Sequence, residues 1–127
     1  ITEKIKPDII IVIDALACSE LSRLGKTIQI SDAGISPGSG VENKRKELSQ
    51  RTLGVPVIAI GVPTIIDMHT IVEELTGKRA NNNMPNMMVT PKDIDQLVSH
   101  ASRLISTGLN LALQPALDFD DAAELAV

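Results

Sequence analysis

Asp14 is the side chain whose neighbours most favour chemistry. It follows Ile9–Ile13, five consecutive β-branched residues, a run too short for a globular helix and suited to a strand buried on both faces. Ala15-Leu16-Ala17 then opens a helical pattern. In open α/β sheets, ligands and reacting groups collect beyond the carboxyl ends of parallel strands. This spacing therefore sets a carboxylate where it could work as an acid or base. The same position also suits a helix N-cap, because Asp is among the preferred capping residues.

A second candidate region is Ser31–Gly40, SDAGISPGSG, which directly follows an alternating segment. Three glycines, three serines and one proline in ten residues permit positive φ and close backbone approach. The plain reading is a surface loop, yet connections of this length are commonly functional or disordered. Its spacing matches neither the G-x-x-x-x-G-K-S/T nor the G-x-G-x-x-G phosphate-binding pattern. Ser31, Asp32, Gly34, Gly38 and Gly40 are its candidate cleft or supporting residues, with Asp32 orienting the loop. Lys44, Arg45 and Lys46 follow as a compact positive cluster. It reads as a solvated face, with Lys44 and Arg45 also counted as candidate cleft or supporting residues.

Metal and thiol chemistry have weaker support. Asp67 and His69 are two residues apart, so on one helix they do not share a face. No His, Cys and carboxylate spacing resembles a zinc set, and no metal or other cofactor is expected. Cys18 is the single cysteine, which excludes an internal disulfide and fits a reducing cytoplasm. Beside Ala17 it reads as a small core residue and not a nucleophile.

The elements that must position these residues follow from pattern. At 127 residues and 43% hydrophobic, the chain can form one domain with a real core. A net charge of −4 argues against direct nucleic-acid binding, and with no Trp or Tyr and only Phe119 there is no base-stacking platform. The longest apolar run is far too short to span a membrane. Ile1-Thr2-Glu3-Lys4 carries neither a start methionine nor a signal-peptide pattern, so an excised stretch of something longer is expected.

After the first strand, entered at Pro7, a short helix is expected from Ala15 to Leu24, ending at Gly25. Thr27–Ile30 alternates as a second strand, and Val55–Ile60, with Pro56 near its start, reads as a third. Thr64 is the expected cap of a helix with Ile65, Met68, Val72 and Leu75 on its apolar stripe. Residues 77–86 read as an exposed loop. Thr90-Pro91-Lys92-Asp93 then opens the strongest helix, with Thr90 as N-cap, Pro91 at N1 and a stripe from Ile94 to Ile105. Gly108 is expected to interrupt it, and residues 116–127 to form an acidic, frayed tail. Residues 1–127 thus read as a single α/β domain with a mainly parallel sheet flanked by helices.

Several long stretches resemble the bacterial spore germination protease family. They are KPDIIIVIDALA (Lys6–Ala17), TIQISDAGISPGSGVENKRKELS (Thr27–Ser49) and LGVPVIAIGVPTIID (Leu53–Asp67). Late in the chain, NMMVTPKDID (Asn86–Asp95) and GLNLALQP (Gly108–Pro115) are similar to that family's C-terminal signature.

The resemblance implies an endopeptidase, made as a zymogen in the spore core, that cuts small acid-soluble spore proteins at germination. It also implies a homo-oligomer, a tetramer in the full-length family, with the α/β fold of the hydrogenase maturation proteases. The family's enzymes are treated as atypical aspartic peptidases with two aspartates. One lies in an I-D-A-L-A motif, which assigns that role to Asp14. The other lies upstream in an N-V-T-P-D-A-L-G-type segment, which these residues do not contain. The resemblance therefore implies a C-terminal part with half the catalytic pair, inactive by itself.

Two other readings stay open. A metal-dependent peptidase would draw Asp14, Asp32 and His69 together from distant segments. A non-enzymatic α/β module would use the Ser31–Gly40 loop as a backbone nest for an anion or nucleotide, with Lys44 and Arg45 supplying charge. Asp32-Ala33-Gly34 superficially resembles the D-[ST]-G of pepsin-like enzymes, but those are all-β, and Ala33 lacks the motif's hydroxyl.

Overall fold

A computed structural model of the chain describes residues 1–38 and 45–126. In order, the elements are α1 (Thr2–Ile5), β1 (Ile10–Cys18), a 3-10 turn (Leu21–Arg23), β2 (Gln29–Ser31), α2 (Gln50–Leu53) and β3 (Val57–Asp67). After them come α3 (Met68–Thr76), β4 (Met88–Val89), α4 (Ile94–Leu113) and α5 (Phe119–Leu125). The chain divides into two compact units, Ile1–Pro91 and Lys92–Val127, where the sequence reading has one domain.

The first unit is built on β3. β1 runs parallel along one of its edges, while β2 and β4 pair antiparallel with it. The sheet is therefore mixed, where the sequence pattern leads to a mainly parallel one. The reason is connection length. Residues 19–28 hold only a 3-10 turn, and a parallel return needs a crossover of about a dozen residues or more. β2 must instead come back in the opposite direction.

Both long strands overrun their expected ends. Ala15-Leu16-Ala17 continue β1, because β3 pairs with them through the register Ala15↔Val62, Leu16↔Pro63 and Ala17↔Ile65. Pairing overrides the local helix preference of Ala and Leu, and Leu21–Arg23 is all that remains of the expected helix Ala15–Leu24. Likewise β3 passes through Gly61-Val62-Pro63 to Asp67. A proline in a central strand needs a bulge, and the register shift beside Pro63 supplies it. The Pro63 carbonyl accepts from Gly25 N–H at 2.8 Å.

Val57, Ala59, Ile60, Gly61, Pro63 and Ile66 are buried, so β3 is the core of this unit. β1 alternates between half-buried and exposed before ending in buried Cys18. α3 is capped by Asp67 and not by Thr64. Thr90, the expected N-cap of the long helix, instead donates its hydroxyl to the Thr64 carbonyl at 2.9 Å.

In the second unit α4 begins at Ile94 after Asp93 and runs through Gly108 without a break. Gly in a helix interior costs about 1 kcal/mol relative to Ala, too little to end twenty residues of helix. α5 forms within the segment read as a frayed tail. Asp118 accepts from Asp121 N–H at 2.9 Å, and Asp120 and Asp121 lie in the first turn, where the helix dipole favours negative charge. Ala122 is buried.

Candidate functional site around Asp14

Asp14 lies at the midpoint of β1, not at a strand-to-helix junction, so it caps no helix. Laterally paired residues share a sheet face, as do residues two apart on one strand. Asp14 is level with Gly61 and Gln29, and Val12 is level with Ala59 and Ser31. Asp14 and Ser31 therefore flank a strip floored by Gly61 and Ala59, with Leu16 lying over Gly61. A Cβ added at Gly61 would meet the Leu16 Cδ1 and, at 2.7 Å, its Cγ. Two strand spacings and two residues of rise separate Asp14 from Ser31 by roughly 12 Å. They share a face but do not touch.

The Asp14 side chain is half-exposed, and its Oδ1 accepts from Ala15 N–H at 3.0 Å. Neither ion pair among the described residues, Arg23–Glu20 or Arg51–Glu47, involves it. Among the described residues the Ala15 N–H is the one hydrogen-bond partner of the Asp14 side chain.

The start of the Ser31–Gly40 region is firmly built. Ser31 Oγ accepts from Ala33 N–H at 3.1 Å, making a tight turn in which Asp32 is exposed. Gly34, at φ +91°, leaves no room for a side chain: a Cβ there would lie 2.6 Å from Ser49 Cβ and 2.7 Å from the Leu48 carbonyl. Ile35 and Leu48 exchange two backbone hydrogen bonds, at 2.9 and 2.7 Å. Ser49 is buried and closes a capping box with Thr52 on α2. Beside it, hydrogen bonds from Ser49 and Arg51 hold the Glu47 carboxyl below its usual range. Gly38 also takes a positive φ, of 74°, and Arg45 is exposed. Gly40 and Lys44 lie outside the described residues.

Asp67 is the acidic residue whose importance the sequence reading missed. Its Oδ1 accepts from Thr70 N–H at 3.0 Å and its Oδ2 from the Thr70 hydroxyl at 2.6 Å. These bonds, the side-chain one foremost, hold its carboxyl below the usual carboxylate range. Next to it, His69 N–H donates to Asn86 Oδ1 at 3.1 Å, and His69 Nε2 lies 2.9 Å from the Met84 carbonyl. This cluster pins the loop after α3. The available signal was Asp67-x-x-Thr70, a capping spacing ahead of an amphipathic stretch. Among the described residues no three His, Cys, Asp or Glu side chains gather as a metal set, so Asp14, Asp32 and His69 are not brought together as one.

The germination protease family matches residues 1–77, more than half of the chain and the whole of β1, β2 and β3. The chain belongs to the germination protease family. It is 44% identical over 154 aligned positions to the germination protease of Clostridium tetani, covering 95% of this chain and 48% of that one. Against the germination protease of Clostridium acetobutylicum the identity is 40%, covering 95% and 47%. Against that of Caldanaerobacter subterraneus subsp. tengcongensis it is 42%, covering 92% and 46%. The chain thus spans about half the length of the curated relatives it matches. In the described residues no helix is long and apolar enough to cross a membrane.

Proposed function

We propose that these residues form part of an endopeptidase that degrades small acid-soluble spore proteins during germination, with Asp14 as one of two working carboxylates. Family membership is the observation that carries this reading. The open, half-exposed carboxylate of Asp14 is compatible with it. Peptide hydrolysis by carboxyl groups needs two that share a proton, one to activate water and one to protonate the carbonyl or leaving amine. One aspartate cannot hold both protonation states. The second carboxyl then comes from residues outside this stretch, and the 127-residue stretch alone has no peptidase activity. The same reading includes synthesis as a zymogen, a homo-oligomer, location in the spore core and the fold of the hydrogenase maturation proteases.

The test compares Asp14→Asn with Asp32→Asn in the longer protein that contains these residues. Products from a small acid-soluble spore protein are read by mass spectrometry. Asp14→Asn should lower turnover at least about a hundredfold, the scale of a lost acid or base, while Asp32→Asn keeps most of it. Cleavage by a folded Asp14→Asn protein at the parent rate would overturn the assignment.

A further inference from the structure

Gly61 sits inside β3, where a glycine is costly and marks a place that another group approaches closely. Its φ is not among the positive ones, so no turn or bend requires it. What the glycine leaves free is volume, and Leu16 takes it. Level with Leu16 stands the fully buried Pro63, and the Leu16 isobutyl group leans back along the strand over the diagonal position. A Cβ at Gly61 would meet Leu16 Cδ1, and would stand 2.7 Å from its Cγ and 3.2 Å from its Cδ2.

That volume is the one beside Asp14. Asp14 is level with Gly61, and directly opposite residues hold their Cβ atoms about 4.5–5.5 Å apart. The Leu16 methyl therefore stands where a β3 side chain would face the Asp14 carboxyl. With that space filled, the carboxyl cannot turn over β3. A methyl neither donates nor accepts a hydrogen bond, so this flank offers the carboxyl oxygens no competing partner. Oδ1 is accordingly turned to the N–H of Ala15, on its own strand.

We propose that Leu16, admitted by Gly61, is a positioning residue for the Asp14 carboxylate: its side chain walls the β3 flank and confines the carboxyl to its working orientation. This rests on the peptidase reading and deepens it. Acid–base transfer needs the carboxyl within hydrogen-bond reach of the proton it moves. A reacting group must be held within about 0.5 Å and 10–20° of its productive geometry, and packing is one way to lock it. One hydrogen bond to the adjacent residue leaves the carboxyl room to swing, and the Leu16 wall removes the swing toward β3. The pair also accounts for a glycine at a strand position where a β-branched residue would pack better against its neighbours.

The experiment uses the longer protein that contains these residues, with a small acid-soluble spore protein as substrate. Gly61→Ala, Leu16→Ala and the two together are compared, each confirmed as folded at the assay temperature by circular dichroism. Gly61→Ala displaces Leu16 and should lower kcat about tenfold to a hundredfold, the scale of a misplaced reacting group. KM should stay within about twofold, because the lost interaction acts on the reacting carboxyl and not on substrate binding. Leu16→Ala removes the wall and should lower kcat about tenfold. In the double variant the new methyl on β3 falls where Leu16 Cδ1 stood. The two changes then compensate, and kcat should return to within about threefold of the parent.

A folded Gly61→Ala protein with the parent kcat overturns the proposal, as does a change confined to KM, which assigns Leu16 to substrate binding. A double variant no faster than Leu16→Ala overturns it as well, because independent losses add and do not cancel. That comparison decides by itself where Gly61→Ala alone does not fold. Asp14→Asn keeps the two readings separable. Cleavage by it at the parent rate removes the carboxylate assignment and this inference together, whereas an inactive Asp14→Asn beside a fully active Gly61→Ala removes only the inference.

Discussion

β1 and β3 each carry an apolar run into an aspartate, yet the two aspartates end in different chemical situations. Asp67 closes β3, accepts two hydrogen bonds from Thr70 and starts α3. Asp14 sits halfway along β1 and accepts one hydrogen bond from its own neighbour. The strand-end, helix-start position that sequence pattern assigns to Asp14 belongs to Asp67. Local pattern identifies a carboxylate after a strand core, but pairing decides where the strand stops. Asp67 is thus engaged by two donors of Thr70, and Asp14 by the single donor of Ala15.

The sharpest way to break this contrast is through the cores of the two strands. Ile66 is 0% exposed on β3, and Ile66→Ala should cost about 2–5 kcal/mol. Ile13 on β1 is 54% exposed, and Ile13→Ala should cost under about 1 kcal/mol. Urea midpoints at a constant slope would show it, and equal losses would mean that the Ile13 side chain is covered.

The row beneath Asp14 gives the next effect. Gly61→Ala drives a methyl into Leu16, so Leu16 must leave its place, at an overpacking cost of about 1–3 kcal/mol. A thermal melt indistinguishable from the parent would show that Leu16 does not pack there.

Third come the aspartates themselves. Asp67→Ala should lose about 1 kcal/mol, the usual value of an N-cap. Asp14→Ala should change stability by less than about 0.5 kcal/mol, whatever it does to turnover in the longer protein. A larger stability loss at Asp14 than at Asp67 would reverse the division of labour.

The smallest effect is in acid. The folded Asp67 carboxyl lies below its ordinary 3.8, so its contribution is full above that value and disappears as pH falls through the lower folded one. Stability of Asp67→Asn should therefore depend less on pH in that acid window. Parallel curves for parent and variant would deny Asp67 a pH-linked role.

Much of this was readable beforehand. The β-branched run Ile9–Ile13, the alternation near Gln29 and the apolar run after Pro56 all became strands. The periodic stripe from Ile94 became a helix. Boundaries failed where a neighbour changed the outcome. Thr64 and Thr90 both look like caps, yet they meet as a carbonyl and a hydroxyl that fasten β3 to the chain after β4. The acidic residues after Pro115 look too charged to order, but Asp118 and the first-turn acids favour a helix start, and Ala122 has a place to be buried.

By itself, the sequence determined which segments could be strands or helices and which family the chain resembles. Those properties are carried by side-chain shape, periodicity and the long family-like motifs. Tertiary structure alone decided that Ala15–Cys18 stay extended, that β2 returns antiparallel, and that Asp67 holds the cap position. The physical reason is that backbone hydrogen bonds are satisfied between segments. A partner strand far along the chain can outweigh local propensity by lining up with it, as β3 does along the whole length of β1.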